Sequence, residues 1–284
     1  MLELARGDWQ AQLLPEQGAA VAQLAWQGRD VLVPLPLGAD PTASFAGAFV
    51  MLPWTNRLDG GRLPVAGMVY HLPVNRPEDG TAIHGLSRDR VWAIESQAGD
   101  RCMLTQALDG TAEGLPYSYR AQLSLALGDD GAHLSIAVTN TADQPFPFGL
   151  GWHPFFLRPA GTGLRFRASA LFARDARTLP VAVQVSDGLV GDEAAYEGLD
   201  THFAGWDGAA EILRPDLRLH LAVSGAWSRN LHVFAPAGSG IICLEPVSHV
   251  PDAPNRPDFA GYGPLTMLAP DESLTASLLL RAEF

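Results

Sequence analysis

Two titratable residues stand where charge is costly. His153 lies in "GLGWHPFF", residues 149–156, between a tryptophan and a Pro-Phe-Phe run. Glu245 closes the apolar run Ile241, Ile242, Cys243, Leu244, and a carboxylate buried there without a partner costs several kcal/mol. Together the two types supply a proton donor and a proton acceptor, the minimum for general acid–base chemistry. Each has a plain structural reading as well: a core histidine satisfied by one hydrogen bond, and a carboxylate facing solvent or pairing with an arginine at a strand end. His84, in "IHG", precedes a glycine that permits a turn and close approach of a ligand to the backbone. Arg57, in "TNRLDGG", could form a surface ion pair or present its guanidinium to a polar ligand.

Other chemistries are excluded by residues the chain lacks. Among 284 residues every basic side chain is arginine, and without lysine neither Schiff-base chemistry nor the lysine of a phosphate loop is available. There is no GxSxG nucleophile elbow and no GxGxxG nucleotide motif. The eight histidines show no HxH, HxxxH or HExxH spacing, so no metal site is expected unless ligands converge in space from separate strands. Cys102 and Cys243 are far apart and read as buried small hydrophobes rather than a disulfide. A formal charge of −12 repels phosphate backbones and anionic lipid, which argues against nucleic-acid and membrane-surface partners. No unbroken apolar run has the length of a signal-peptide core or a membrane span, and a reduced, cytoplasmic protein is expected.

The elements that must position these residues are strands. In "YSYRAQLSLALGDDGAHLSIAVTN", Tyr117 to Leu127 and Leu134 to Val138 alternate apolar and polar around Gly128-Asp129-Asp130-Gly131, which predicts a hairpin. Strands also fit residues 19–35, 218–225, 230–236, 240–246 and 273–284. Only 192–200 suggests a short helix. The 29 glycines and 22 prolines exceed the usual combined share of about 12% and argue for many turns. The Pro-rich stretch 31–47 is too short for a linker. An all-β architecture in one domain, residues 1–284, is expected, with a sandwich or barrel as its form.

Taken together and in order, "GAAVAQLAWQGRDVLVP", "NRLDGGRLPVAGMVYHLPVN", "AIHG", "GWHPFF", "GLDTHFAG" and "CLEPVSHVPDAPN" resemble the aldose 1-epimerases of the galactose mutarotase-like superfamily. The resemblance implies a β-supersandwich of large, mostly antiparallel sheets with a sugar cleft across strand ends and loops. It implies a cofactor-independent isomerase that interconverts the α and β anomers of a free aldohexose such as galactose or glucose. His153 would be the general acid and Glu245 the general base, while Arg57, His84 and Asp200 would bind the sugar. His232, in "NLHVF", falls where some members place a polar contact. The family's galactose-specific members usually carry Ser-Tyr-Phe-Asn after the acid histidine, whereas this chain has Pro154-Phe155-Phe156, which weakens the inference to galactose.

Trp152 and Phe155 are candidates for the wall against the sugar's C–H face. Proximity is expected to favour Glu245 ionised with His153 charged, and a bell-shaped pH profile. Two alternatives share the fold. One is a hexose-6-phosphate mutarotase, which would need Arg57, Arg62, Arg88 and Arg90 to gather. The other is a sugar-binding domain without turnover. A hydrolase is disfavoured, because it commonly uses two carboxylates. A monomer and a homodimer are equally compatible with the sequence.

Overall fold

The computed structural model describes residues 1–284. Strands take up 51% of the chain and helices 7%, in agreement with the all-β expectation. The expected hairpin forms: Tyr119–Gly128 pairs with Gly131–Asn140 in register from Tyr119 opposite Asn140 to Gly128 opposite Gly131. Its alternating residues, Ala121, Leu123 and Leu125 on one strand and Leu134, Ile136 and Val138 on the other, are buried. The terminal strand Ser273–Glu283 adds to this hairpin and joins it to Arg218–Gly225 within a nine-stranded antiparallel sheet. The short helix expected within 192–200 is a single turn, Glu193–Tyr196, capped by Asp192. No helix is long and apolar enough to cross a membrane.

A second, twelve-stranded sheet carries the residues of chemical interest. Its central strands lie in the order Ala20–Trp26, Ala48–Met51, Gly151–Pro154, Ile241–Val247, Asn230–Phe234 and Asp200–Ala204, each antiparallel to the next. Successive side chains on a strand point to opposite faces, and the chain uses both. Ile242 and Leu244 join Val50, Trp152, Leu231 and Val233 in a core of 61 buried residues drawn from both large sheets. Ile241, Cys243 and Val247 turn the other way and pack with Phe49, Met51 and Phe155 in a separate cluster of six.

Glu245 and His153 therefore emerge on the face of the sheet turned away from the main core. The same alternation corrects one expectation. Trp152 is not a cleft wall: as the neighbour of His153 in an extended strand, it points into the main core, and Phe155 lines the cleft instead.

Candidate functional site

Strand register sets the floor of the site. His153 lies opposite Phe49 on one neighbouring strand, and Glu245 lies opposite His232 on the other. His153 Nε2 stands 3.4 Å from Glu245 Oε1. The imidazole stacks on Phe49, with ring centroids 4.7 Å apart, and lies 4.6 Å from Phe155. His84 meets it edge-on at 5.2 Å. Aromatic rings thus exclude water from a pair of polar groups that are themselves 5% (His153) and 1% (Glu245) exposed.

Loops and short strands build the walls. Arg57–Asp59 pairs with Thr81–Ile83, and His84 leaves that strand at φ 64°, its amide donating to the Asn56 carbonyl at 3.0 Å. Gly85 continues the turn at φ 75°, where a Cβ would lie 2.1 Å from the Leu52 carbonyl oxygen. Only glycine fits, because both the left-handed backbone and the close approach forbid a side chain. Gly85→Ala is expected to destabilise the protein by more than about 1 kcal/mol. A thermal melt would show this as a drop of at least roughly 2 °C for a chain of this size, and an unchanged midpoint would mean the turn tolerates a Cβ.

Asp252 holds the same wall from below. It is fully buried, its carboxylate accepts the Asp59 amide at 2.9 Å, and its own amide donates to the Arg57 carbonyl at 2.8 Å. The "PDAPN" stretch after Glu245 is therefore tied to the strand that presents Arg57.

Each charged residue on the walls has an opposite. Arg57 Nε donates to Asp79 Oδ2 at 3.1 Å, and Arg76 reaches the same oxygen at 3.1 Å. Asp200 accepts from His232 Nε2 at 2.9 Å and pairs with Arg174. Burial works to raise the pKa of Asp200, but the His232 hydrogen bond and the charges of Arg174 and Arg57 outweigh it and hold the carboxylate well below its ordinary range. Asp79 is held low in the same way, by Thr81, Arg57 and Arg76 against burial.

On the floor, burial dominates. It lowers His153 to about 3, helped by His232 and Arg88. It raises Glu245 well above the usual carboxylate range, with Asp200 adding to the rise and Arg57 opposing it. His84 is also driven well below an ordinary histidine by burial and by the neighbouring His153. Mutual attraction was expected to keep Glu245 ionised and His153 charged; desolvation of both groups is the larger effect and favours the neutral pair.

These groups line one cleft of about 140 Å³, the scale of space that holds a six-membered ring. All five residues singled out from the sequence (Arg57, His84, His153, Asp200 and Glu245) face it, together with Phe155, His232 and Arg76. The four arginines considered for a phosphate do not gather. Arg57 lines the cleft, Arg90 is engaged by Glu113 at 2.8 Å, Arg88 stands behind the wall donating to Thr42 at 2.7 Å, and Arg62 is exposed.

Sequence reasoning missed Asp79, Arg76 and Arg174 and gave His232 little weight. The polar run "NRPEDG" just before "AIHG" was the available signal for Arg76 and Asp79. For His232 the signal was its position among apolar residues on a strand. Nothing local marked Arg174.

A family model described as aldose 1-epimerase matches residues 2–281. The chain is 30% identical over 256 residues to the uncharacterized protein YphB of Escherichia coli K12, covering 85% of this chain and 86% of that protein. Its structure is similar to a crystal structure from Escherichia coli K12 provisionally described as an aldose 1-epimerase, with TM-score 0.86 and 25% identity over 99% of this chain and 98% of the other. It is similar in fold to a galactose mutarotase-like protein of Clostridium acetobutylicum, with TM-score 0.87 and 19% identity over 99% and 94% of the two chains.

Proposed function

We propose that this chain, which belongs to the aldose 1-epimerase family, interconverts the α and β anomers of a free aldohexose, with His153 and Glu245 as its acid–base pair. The observation that carries this reading is the buried pair itself, 3.4 Å apart on the floor of a ring-sized cleft. Arg57, His84 and Asp200 are the hydroxyl-binding residues in this reading. Residues 1–284 are taken as one domain, supported by a core that runs across both large sheets.

The chemistry follows from one proton shared by two groups. The form of the closed-ring complex that reacts has the proton on His153 and leaves Glu245 a carboxylate, the arrangement that burial disfavours. Glu245 takes the proton from the C1 hydroxyl while His153 gives one to the ring oxygen, and the C1–O5 bond breaks to leave an aldehyde. The pair is then neutral, the form that burial favours. Burial thus favours the proton transfers that open the ring, and lowers the barrier by the part of that gain already present in the transition state. Rotation about C1–C2 presents the other face of the carbonyl. Glu245 returns its proton to the carbonyl oxygen, His153 takes the proton of the C5 hydroxyl, and the ring closes as the opposite anomer. The protein ends with the protons it began with.

Charge balance supports a neutral sugar. Arg57, Arg76 and Arg174 are matched by Asp79, Glu78 and Asp200, and the His153–Glu245 pair carries no net charge, so a dianionic phosphate would meet no uncommitted positive charge. The deciding experiment follows optical rotation or anomeric proton signals after dissolving α-D-glucose, α-D-galactose or glucose 6-phosphate, with and without protein. Acceleration is expected for a free aldose, and folded protein that accelerates none of the three overturns the proposal.

Asp79→Asn tests how Arg57 is held. The change keeps the volume and removes the charge that orients the guanidinium, a hydrogen bond of roughly 1.5–3 kcal/mol. KM is expected to rise about 10- to 100-fold with kcat nearly unchanged. A fall in kcat at constant KM would place Asp79 in the chemical step instead.

A further inference from the structure

Cys243 is the one thiol beside the cleft floor, and acid–base chemistry leaves it unused. It lies two residues before Glu245 on the same strand, so both side chains project from the same face. Its Sγ, a ring nitrogen of His153 and a carboxylate oxygen of Glu245 all lie within 4.8 Å of one another, and all three residues are buried. Glu245 Oε2, in a side chain 2% exposed, has no hydrogen-bond partner. We propose that His153, Cys243 and Glu245 form a binding site for a borderline-soft divalent cation of the zinc class, and that its occupancy blocks the cleft floor.

Geometry, donor type and charge agree. Two ligand atoms each about 2.0–2.1 Å from a tetrahedral zinc ion are about 3.3 Å apart, and His153 Nε2 and Glu245 Oε1 already stand 3.4 Å apart. The sulfur has to draw in by on the order of 1 Å to reach a zinc–sulfur bond of about 2.3 Å. Thiolate and imidazole select zinc-like ions over calcium or magnesium, which prefer oxygen. A thiolate and a carboxylate neutralise a divalent cation, so the filled site carries no net charge into an apolar floor. Three protein ligands leave a fourth position, and the cleft lies over it. The ligands come from two strands, which is why no histidine spacing in the sequence announced them. The cation would occupy the atoms that move protons, making it an inhibitor and not a participant.

The test uses the full chain, titrated with Co²⁺ alone and then displaced by Zn²⁺, and does not depend on any sugar assay. Wild-type protein is expected to show a thiolate-to-cobalt charge-transfer band that Zn²⁺ abolishes. Cys243→Ser should lose the band, and both Cys243→Ser and Glu245→Gln should weaken binding by at least about 10- to 100-fold, the loss seen even for an outer partner of a ligand. Circular dichroism confirms that the variants are folded, and the wild-type band stands on its own if one is not. Cobalt bound without the band, equal affinity in both folded variants, or no binding of either ion to wild type overturns the proposal. Absence of sugar turnover in metal-free protein that still forms the band on adding Co²⁺ would count against the epimerase reading alone.

Discussion

Glu245→Gln is expected to lower kcat for anomer exchange by about 10²- to 10⁴-fold, the usual worth of one positioned proton transfer. Glutamine keeps the shape and hydrogen-bonding reach of the residue but cannot take the C1 proton. His153→Ala should cost a similar factor by removing the donor to the ring oxygen. The double variant should be little worse than either single one, because groups that act as a unit give strongly non-additive losses. KM should change far less than kcat, since the walls formed by Arg57, His84 and Asp200 remain. Polarimetry at saturating sugar separates the two parameters. Either single variant with wild-type kcat removes that residue from the mechanism.

The substitutions also separate catalysis from stability. Glu245 is a buried carboxyl group whose Oε2 has no partner, and such groups cost a fold free energy. Glu245→Gln should therefore melt close to wild type while losing activity. His153→Ala leaves a hole beside Phe49 and Phe155 and is the more destabilising of the two.

The second large effect is on pH. In the proposed mechanism the active protein carries one proton between His153 and Glu245, so activity is expected to fall when the pair gains a second proton or loses its only one. Gaining a second proton means charging His153 while Glu245 stays protonated, which burial defers until about pH 3. Losing the last one means ionising Glu245 beside a neutral imidazole, which burial defers to well above the usual carboxylate value of about 4.3. The plot of kcat/KM against pH should be a bell with its acid limb near 3 and its alkaline limb far above an ordinary glutamate. These limbs belong to the pair as a unit. An acid limb at about 6.5, the value of an exposed histidine, would show that His153 is not desolvated in the working protein. In Glu245→Gln the alkaline limb should leave its wild-type position, because the only proton left to lose is that of His153.

How much of this was legible beforehand follows from the range of each interaction. Alternation with period two is local, and it marked the hairpin of Tyr119–Gly128 and Gly131–Asn140 and the terminal strand Ser273–Glu283. Family likeness carried the five cleft residues, whose motifs are short and contiguous. Period two also contained the answer for Trp152, since a residue next to His153 in a strand must face the opposite way; the aromatic content of "GWHPFF" drew attention from it. Whether Glu245 was a buried base or a solvent-facing strand end could not be read from its run of apolar neighbours, because burial depends on what covers the face.

The sequence by itself determined that the chain is built of strands, that it carries no lysine chemistry, and that one histidine and one glutamate sit in apolar stretches. Tertiary structure alone decided that Gly151–Pro154 lies beside Ile241–Val247, bringing His153 to 3.4 Å from Glu245. It also paired Arg57 with Asp79 and Asp200 with Arg174, and brought the thiol of Cys243 within 4.8 Å of His153 and Glu245. The physical reason is that side-chain direction along a strand is fixed by the backbone of that strand, whereas the order of strands in a sheet is fixed by hydrogen bonds and burial between segments far apart in the chain. Depressed and raised pKa values belong to the second kind, since desolvation requires walls contributed by every neighbour.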